Sequence, residues 1–288
     1  FSMRDIHSSQ YSRICPVRSP EGQNIGLVTY LALYTRINEF GFLEAPYYKV
    51  VKNAAGKMEI TDQVEYLNAD DEELFHITHA GVGRDGNIIT DQWVAARFDG
   101  HFIEAGVENI QYIDVVPRQV VGTSASLIPF VHHDNGTRAL MGSHMQTQAV
   151  PLLKSEAPVV GTGMERAVAE AMGWVIKANH SGEVIEADAN KVSIKLSAAD
   201  AKTAPRDVSI YDYGFVTVKG DIETYHIRKY HRTSQSTSYS QYPLVFPGDK
   251  IKAGDVIING PSAHNGELSI GQNLLIAYGS FAGLGYED

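Results

Sequence analysis

Between residues 47 and 114, apolar and polar positions alternate in short runs at 47–52, 63–67, 75–78 and 98–102. Turn-forming stretches at 53–56, 84–87 and 98–100 separate them, each containing Gly with Asn or Asp. Alternation with period two sends successive side chains to opposite faces, so the region reads as a small β module. On its N-terminal side the period lengthens. Ser19, Pro20 and Glu21 read as a helix start, and Ile25, Val28, Leu31 and Ala32 form an apolar helical stripe to about Thr35. Residues 38–41 close that unit with turn chemistry.

A second helical pattern lies in 131–150. Thr137 is positioned to cap a short helix on which Arg138, Met141 and Met145 share one face and Leu140, His144 and Gln148 the next. Apolar runs at 126–130 and 150–153 are expected to pin it at both ends by burial. Thr162 and Glu165 have capping-box spacing, residues 164–172 are good helix formers, and Gly173 supplies a left-handed stop. Residues 174–262 read as a compact β unit. Val192, Ile194 and Leu196 alternate with Ser193 and Lys195 as in a half-buried strand, and 247–257 looks like a turn-rich hairpin.

With 288 residues, 43% of them apolar, the chain can bury a core divided into two or three domains. No run of 18 apolar residues and no basic-then-apolar leader occurs, so neither a membrane span nor a signal peptide is expected. Phe1 and Asp288 read as fragment boundaries. A lone Cys15 excludes a disulfide framework and a cysteine zinc site and fits a reducing cytoplasm. The net charge of -10 argues against a free-standing nucleic-acid binder. Its distribution changes that picture. Residues 59–73 carry seven acids without a Lys or Arg, reading as a solvated face, whereas 225–232 are locally basic.

Several stretches carry candidate chemistry. In 131–150 a guanidinium and several amides on a pinned helix suit a phosphorylated partner, while Arg138 paired with Asp134 over core methionines is the simpler reading. His76 and His79 have ligand-like spacing, but a strand would send them to opposite faces. Gly-Thr-Gly-Met-Glu-Arg at 161–166 lacks the spacing and the Lys-Ser/Thr pair of a phosphate loop. Residues 227–237, basic, aromatic and hydroxyl-rich, read either as an exposed strand and loop or as a segment that tracks phosphates. Glu287 and Asp288 are either solvated acids or a paired site. Two competing classes are a stand-alone single-stranded nucleic-acid binder using Tyr225 and Tyr230, and a carrier module suggested by 248–254, which lacks the flanked lysine at its tip.

The text of 133–150, HDNGTRALMGSHMQTQAV, resembles a signature of the β subunit of bacterial-type DNA-directed RNA polymerase. Further matches follow in that family's order: CPVRSPEGQNIGL at 15–27, DVVPRQVVGTSASLIPF at 114–130, RKYHRTSQST at 228–237 and GELSIGQNLLIAYGSFAGLGYED at 266–288. The resemblance implies an α+β, β-rich fold. Residues 1–46 correspond to the end of the fork region and 47–112 to an external β module. Residues 113–288 correspond to a hybrid-binding region with part of a double-psi β-barrel and a barrel-sandwich-hybrid-like β insert at about 174–262.

The chemistry so implied is nucleotidyl transfer by two metal ions. The permanent Mg2+ belongs to three aspartates of the β′ subunit, so this chain is expected to be inactive alone. Arg138 would face the nucleoside triphosphate. Glu287 and Asp288 would lie near the second Mg2+. Gln148, His144, Arg228, Lys229 and Arg232 would follow the RNA, and Pro20, Glu21, Asn24 and Val28 match rifamycin-pocket positions. Implied partners are β′, the α subunits, sigma factor, template DNA, nascent RNA and nucleoside triphosphates, in the cytoplasm and away from any membrane. Three departures stand out: His144 where the family usually has Asn, Thr147 where it has Arg, and 282–286 in place of a usual Asn-Gly-Tyr-Asn-Tyr/Phe. Thr147 removes a cation beside the RNA path, and altered rifamycin sensitivity is the expected result.

Overall fold

The computed structural model describes residues 2–203, 209–211, 214–285 and 287. It divides into two compact units, Phe1–Gln148 and Ala149–Asp288. Strands predominate in both and helices are few and short, an α+β, β-rich chain. Among the described residues no helix is long and apolar enough to cross a membrane.

The first unit is built on one sheet. Its main strands are β1 (Leu43–Lys52), β2 (Met58–Leu67), β3 (Ile77–Thr78), β4 (Trp93–Phe98), β5 (His101–Gly106) and β6 (Tyr112–Asp114). They lie in the order β2, β1, β6, β3, β4, β5, with the small hairpin Arg84–Asp85/Ile88–Ile89 beyond β2. The contacts are antiparallel except β3 with β6, where Ile77 pairs with Tyr112 and Thr78 with Ile113. One face packs Val50, Ile60, Val94, Ala105 and Ile113, and a second cluster gathers Ala45, Tyr47, Leu67, Ile77 and Tyr112. The alternation is therefore that of a β module. Residues 98–102 are the exception: they span the end of β4, a two-residue turn and the start of β5, with Asp99 and Gly100 both at positive φ, the geometry such a hairpin demands.

Two further expectations fail here for local reasons. Residues 21–30 form turns, not a helix. Gly22 and Gly26 sit at φ 87° and 74°, and Arg4 Nη1 donates to the carbonyls of Gln23 and Ile25, groups a helix would need as acceptors. Ile25, Val28 and Leu31 are exposed as a result, and only Ala32 of the stripe is buried. Nor is the acidic run uniformly solvated. Its end forms helix α1 (Ala69–Glu73), capped by Asn68, whose carboxamide accepts from the Asp71 N–H at 2.8 Å. Glu72 turns inward from it to meet Arg13 and Arg97.

The first unit also carries helix α2 (Gly136–Thr147); the second unit holds helix α3 (Glu165–Ala171) and a six-stranded antiparallel sheet. The sheet runs Ser209–Tyr211, β9 (Gly214–Lys219), β10 (Ile222–His226), β8 (Lys191–Leu196), β7 (Gly182–Ala187), β11 (Lys250–Ile251). Val184, Val192, Ile194, Val216 and Tyr225 form its core, joined by Ile257 and Ile258 from β12 (Val256–Asn259). Ser193 is buried as well, its hydroxyl 3.2 Å from that of Thr224 on β10, so β8 is covered on both faces over part of its length. Thr162 and Glu165 do bond, the Thr162 N–H and hydroxyl donating to Glu165 Oε1 at 2.7 and 3.1 Å, but Thr162 is not the cap: α3 begins at Glu165 after Met164, which makes no side-chain cap bond, and Gly173 takes φ 71°. Residues 247–257 are rich in turns but are not a hairpin. β11 pairs with β7, whereas β12 pairs with Ile176–Lys177 and Tyr242–Pro243. Asp249 and Asp255 each fold the chain back by accepting a backbone N–H three residues earlier, which sends the two strands to different sheets.

Candidate nucleic-acid interface

In the first unit, α2 (Gly136–Thr147) follows a short 3-10 turn entered through Phe130 at positive φ. Its cap is Asn135, not Thr137: Asn135 Oδ1 accepts the Thr137 N–H at 2.9 Å, and the Asn135 carbonyl accepts from Ala139 at 3.0 Å. An asparagine satisfies the first amides from outside the helix, which frees Thr137 to be a helical residue. Ala139 and Ser143 are buried and fix the inner face. Arg138 is exposed, its Nη1 lying 3.7 Å from Met141 Sδ. Among the described residues it has no carboxylate partner, so the pairing with Asp134 does not form. The apolar run at 150–153, expected to be buried, is exposed throughout, Leu153 fully.

At the other end of α2, His144 and Gln148 meet on one face as their spacing predicts, His144 Nε2 lying 2.9 Å from the Gln148 amide nitrogen. A residue not singled out by the sequence joins them. Arg18, 5% exposed, donates from Nη2 to Thr147 Oγ1 at 3.2 Å and places Nη1 3.5 Å from His144 Nδ1. Its guanidinium stacks 4.5 Å from the Tyr30 ring centroid. Arg18 comes from 126 residues away in sequence, so no local pattern links it to α2. Of the rifamycin-type positions, Pro20 is half-buried and Glu21, Asn24 and Val28 are exposed.

The strand-and-turn segment bearing Arg18 is held to the sheet by a polar cluster. Arg13 meets Glu72 at 2.6 Å; Arg97 bridges Glu72 and Asp114; Tyr11 donates to Asp114 at 2.7 Å and Tyr47 to Glu72 at 2.9 Å. Burial pushes both phenols well above their ordinary range, with the neighbouring carboxylates adding to it. Burial also raises Asp114, against the opposing pull of Arg97 and of the Tyr11 hydrogen bond.

In the second unit the basic stretch forms a two-stranded ribbon, His231–Arg232 against Ser238–Tyr239. Arg228 and Lys229 are half-buried at its root. Tyr230 is 84% exposed, and Arg232 is exposed with Nη2 3.0 Å from Ser236 Oγ. Among the described residues none of these cations has a carboxylate partner. Tyr225 is a core residue at 0% exposure, its hydroxyl accepting the Asn179 N–H at 2.7 Å, and therefore cannot serve as a stacking platform. His76 stacks on Phe98, and the His79 ring accepts the Gly81 N–H. Glu287 is exposed and Asp288 lies outside the described residues. Among the described residues no group of three His, Cys, Asp or Glu is placed to hold a metal ion.

Three family models match in chain order. RNA polymerase Rpb2, domain 3, covers residues 1–37; RNA polymerase beta subunit external 1 domain covers 47–116; RNA polymerase Rpb2, domain 6, covers 178–288. The chain belongs to the β-subunit family of DNA-directed RNA polymerase. It is 44% identical over 290 residues to the DNA-directed RNA polymerase subunit beta of Borreliella burgdorferi, covering 100% of this chain and 23% of that protein. For the same subunit the figures are 45% over 288 residues in Corynebacterium diphtheriae, covering 99% and 22%, and 44% over 289 in Wolbachia pipientis, covering 100% and 19%. The chain thus spans about a fifth of the length of these relatives.

Proposed function

We propose that this chain is the part of a polymerase β subunit that positions the incoming nucleoside triphosphate, the RNA 3′ end and the RNA–DNA hybrid during nucleotidyl transfer. The observation that carries the reading is α2, an Asn135-capped helix with a buried inner face that holds Arg138 exposed and without a carboxylate partner among the described residues. A planar guanidinium so held binds phosphate oxygens in a fixed orientation, and its charge grows in value as negative charge develops on the transferring phosphoryl group. His144 and Gln148 at the far end of α2, with Arg228, Lys229 and Arg232 on the ribbon, follow the RNA backbone, where cations set affinity and amides set register.

On this reading residues 1–46 end the fork region and 47–112 are the external module. Residues 113–288 contribute to the hybrid-binding region, including part of a double-psi barrel and the insert at about 174–262. Pro20, Glu21, Asn24 and Val28 line a rifamycin-type pocket. Magnesium, bound chiefly by the β′ subunit, would provide the metal chemistry, and Glu287 and Asp288 would assist near a second ion. The α subunits, sigma factor and template DNA complete a cytoplasmic assembly, and the chain alone has no activity. The test is steady-state transcription by the assembled enzyme carrying Arg138→Ala. KM for nucleoside triphosphate is expected to rise about tenfold or more, with Arg138→Lys recovering part of it. An unchanged KM rejects the assignment. Micromolar, salt-sensitive RNA binding by the isolated chain would instead favour a stand-alone binder with Tyr230 as its stacking ring.

A further inference from the structure

We infer that Arg18 is a further nucleic-acid contact, the cation of a composite phosphodiester site formed with His144, Thr147 and Gln148; the inference rests on the RNA-facing reading of α2. Three observations converge on it. The guanidinium is 5% exposed, yet among the described residues no carboxylate lies within ion-pair distance of it. Its bonded neighbours are a hydroxyl and an imidazole, with a tyrosine ring beneath, all of which orient the fork without cancelling its charge. It sits against the last turn of α2, where the helix dipole favours a cation but supplies only about half a charge. Burying a full charge under those conditions is costly unless an anion completes the site.

The placement also selects the anion. Arg18 reaches His144 through one ring nitrogen, and the other ring nitrogen meets the amide of Gln148, which is exposed. A cation and a neutral amide linked through one imidazole match a backbone phosphate with its adjoining sugar or base edge. Tyr30, beneath the guanidinium, keeps part of its ring exposed, an aromatic surface on which a ribose or base can lie. The class of ligand is a phosphodiester of the RNA strand.

The test uses elongation complexes of the assembled enzyme, comparing Arg18 with Arg18→Gln, which keeps hydrogen-bonding capacity but removes the charge, and Arg18→Lys, which keeps the charge. Complex lifetime is measured over a range of salt concentrations, with RNAs carrying one neutral methylphosphonate linkage at successive positions from the 3′ end. Arg18→Gln is expected to shorten the lifetime about tenfold and to lower the log–log salt slope by about one. Arg18→Lys is expected to restore the slope. One methylphosphonate position should erase the difference between the parent and Arg18→Gln, while the same substitution in the template DNA leaves it. A shorter lifetime with an unchanged salt slope, or an effect that tracks the template linkage, overturns the inference. So does an unchanged lifetime in Arg18→Gln. If that occurs while Arg138→Ala raises KM, only the Arg18 site is lost; if neither variant has an effect, the RNA-facing reading of α2 falls with it.

Discussion

Arg13 Nη2 lies 2.6 Å from Glu72 Oε2, joining the segment that carries Arg18 to helix α1. Arg13 is buried, and Glu72 also takes Arg97 and the Tyr47 hydroxyl. Removing the acid leaves Arg97 with Asp114 and leaves the buried Arg13 guanidinium with backbone carbonyls but, among the described residues, no carboxylate. Glu72→Ala is expected to destabilise the first unit by about 3–5 kcal/mol, the usual consequence of breaking a buried pair from one side. Urea unfolding followed by tyrosine fluorescence measures it, and a loss below about 1 kcal/mol counts against the cluster as the anchor.

The cap of α2 gives a smaller and more local effect. Asn135→Ala removes the acceptor of the Thr137 N–H and is expected to cost about 1 kcal/mol, with Asn135→Ser recovering most of it. Hydrogen exchange at the amides of 137–139 should accelerate in the alanine variant. Thr137→Ala should leave those amides protected, which distinguishes the two candidate caps directly.

Glu165 ties stability of the second unit to pH. Burial opposes its charge, but hydrogen bonds from the Thr162 and Gly163 N–H groups and the Thr162 hydroxyl outweigh it and hold the carboxyl below the ordinary glutamate range. The folded state therefore binds this proton less readily than the unfolded chain. Its contribution is full above the unfolded value of about 4.3 and is lost as pH falls through the folded one. Thermal unfolding between about pH 3 and 6 should show a shallower acid decline for Glu165→Gln than for the parent. Identical slopes would rule the group out.

What the sequence discloses and what it conceals divide along physical lines. The β module and the Thr162–Glu165 contact are legible because their determinants are local: alternation, glycine turns and a three-residue spacing. The stretch 19–35 misleads because its apolar spacing fits a helix while its outcome depends on Arg4 capturing the carbonyls of Gln23 and Ile25. Glu72 reads as solvated until Arg13 and Arg97 arrive from elsewhere in the chain. The candidate interface follows the same rule. His144 and Gln148 are one turn apart and can be paired on paper, whereas Arg18 reaches them across 126 residues of sequence.

That long-range contact changes the expectation for position 147. Read by itself, Thr147 is a lost cation, and replacing it by Arg would restore one. Thr147 is itself exposed, but its hydroxyl lies 3.2 Å from Nη2 of the buried Arg18, so a guanidinium placed there starts beside a like charge. Thr147→Arg is therefore expected to destabilise the enzyme or displace Arg18, and Arg18→Ala to relieve it. A double-mutant cycle on thermal stability should return a coupling of at least about 1 kcal/mol, since contacting residues seldom act additively. Rifamycin inhibition supplies the functional readout. His144→Asn with Thr147→Arg is expected to change it, and to change it further once Arg18 is also replaced. Inhibition that stays the same in all three backgrounds would separate this corner of α2 from the drug pocket, and simple additivity in the stability cycle would show that Arg18 and position 147 do not share a charge.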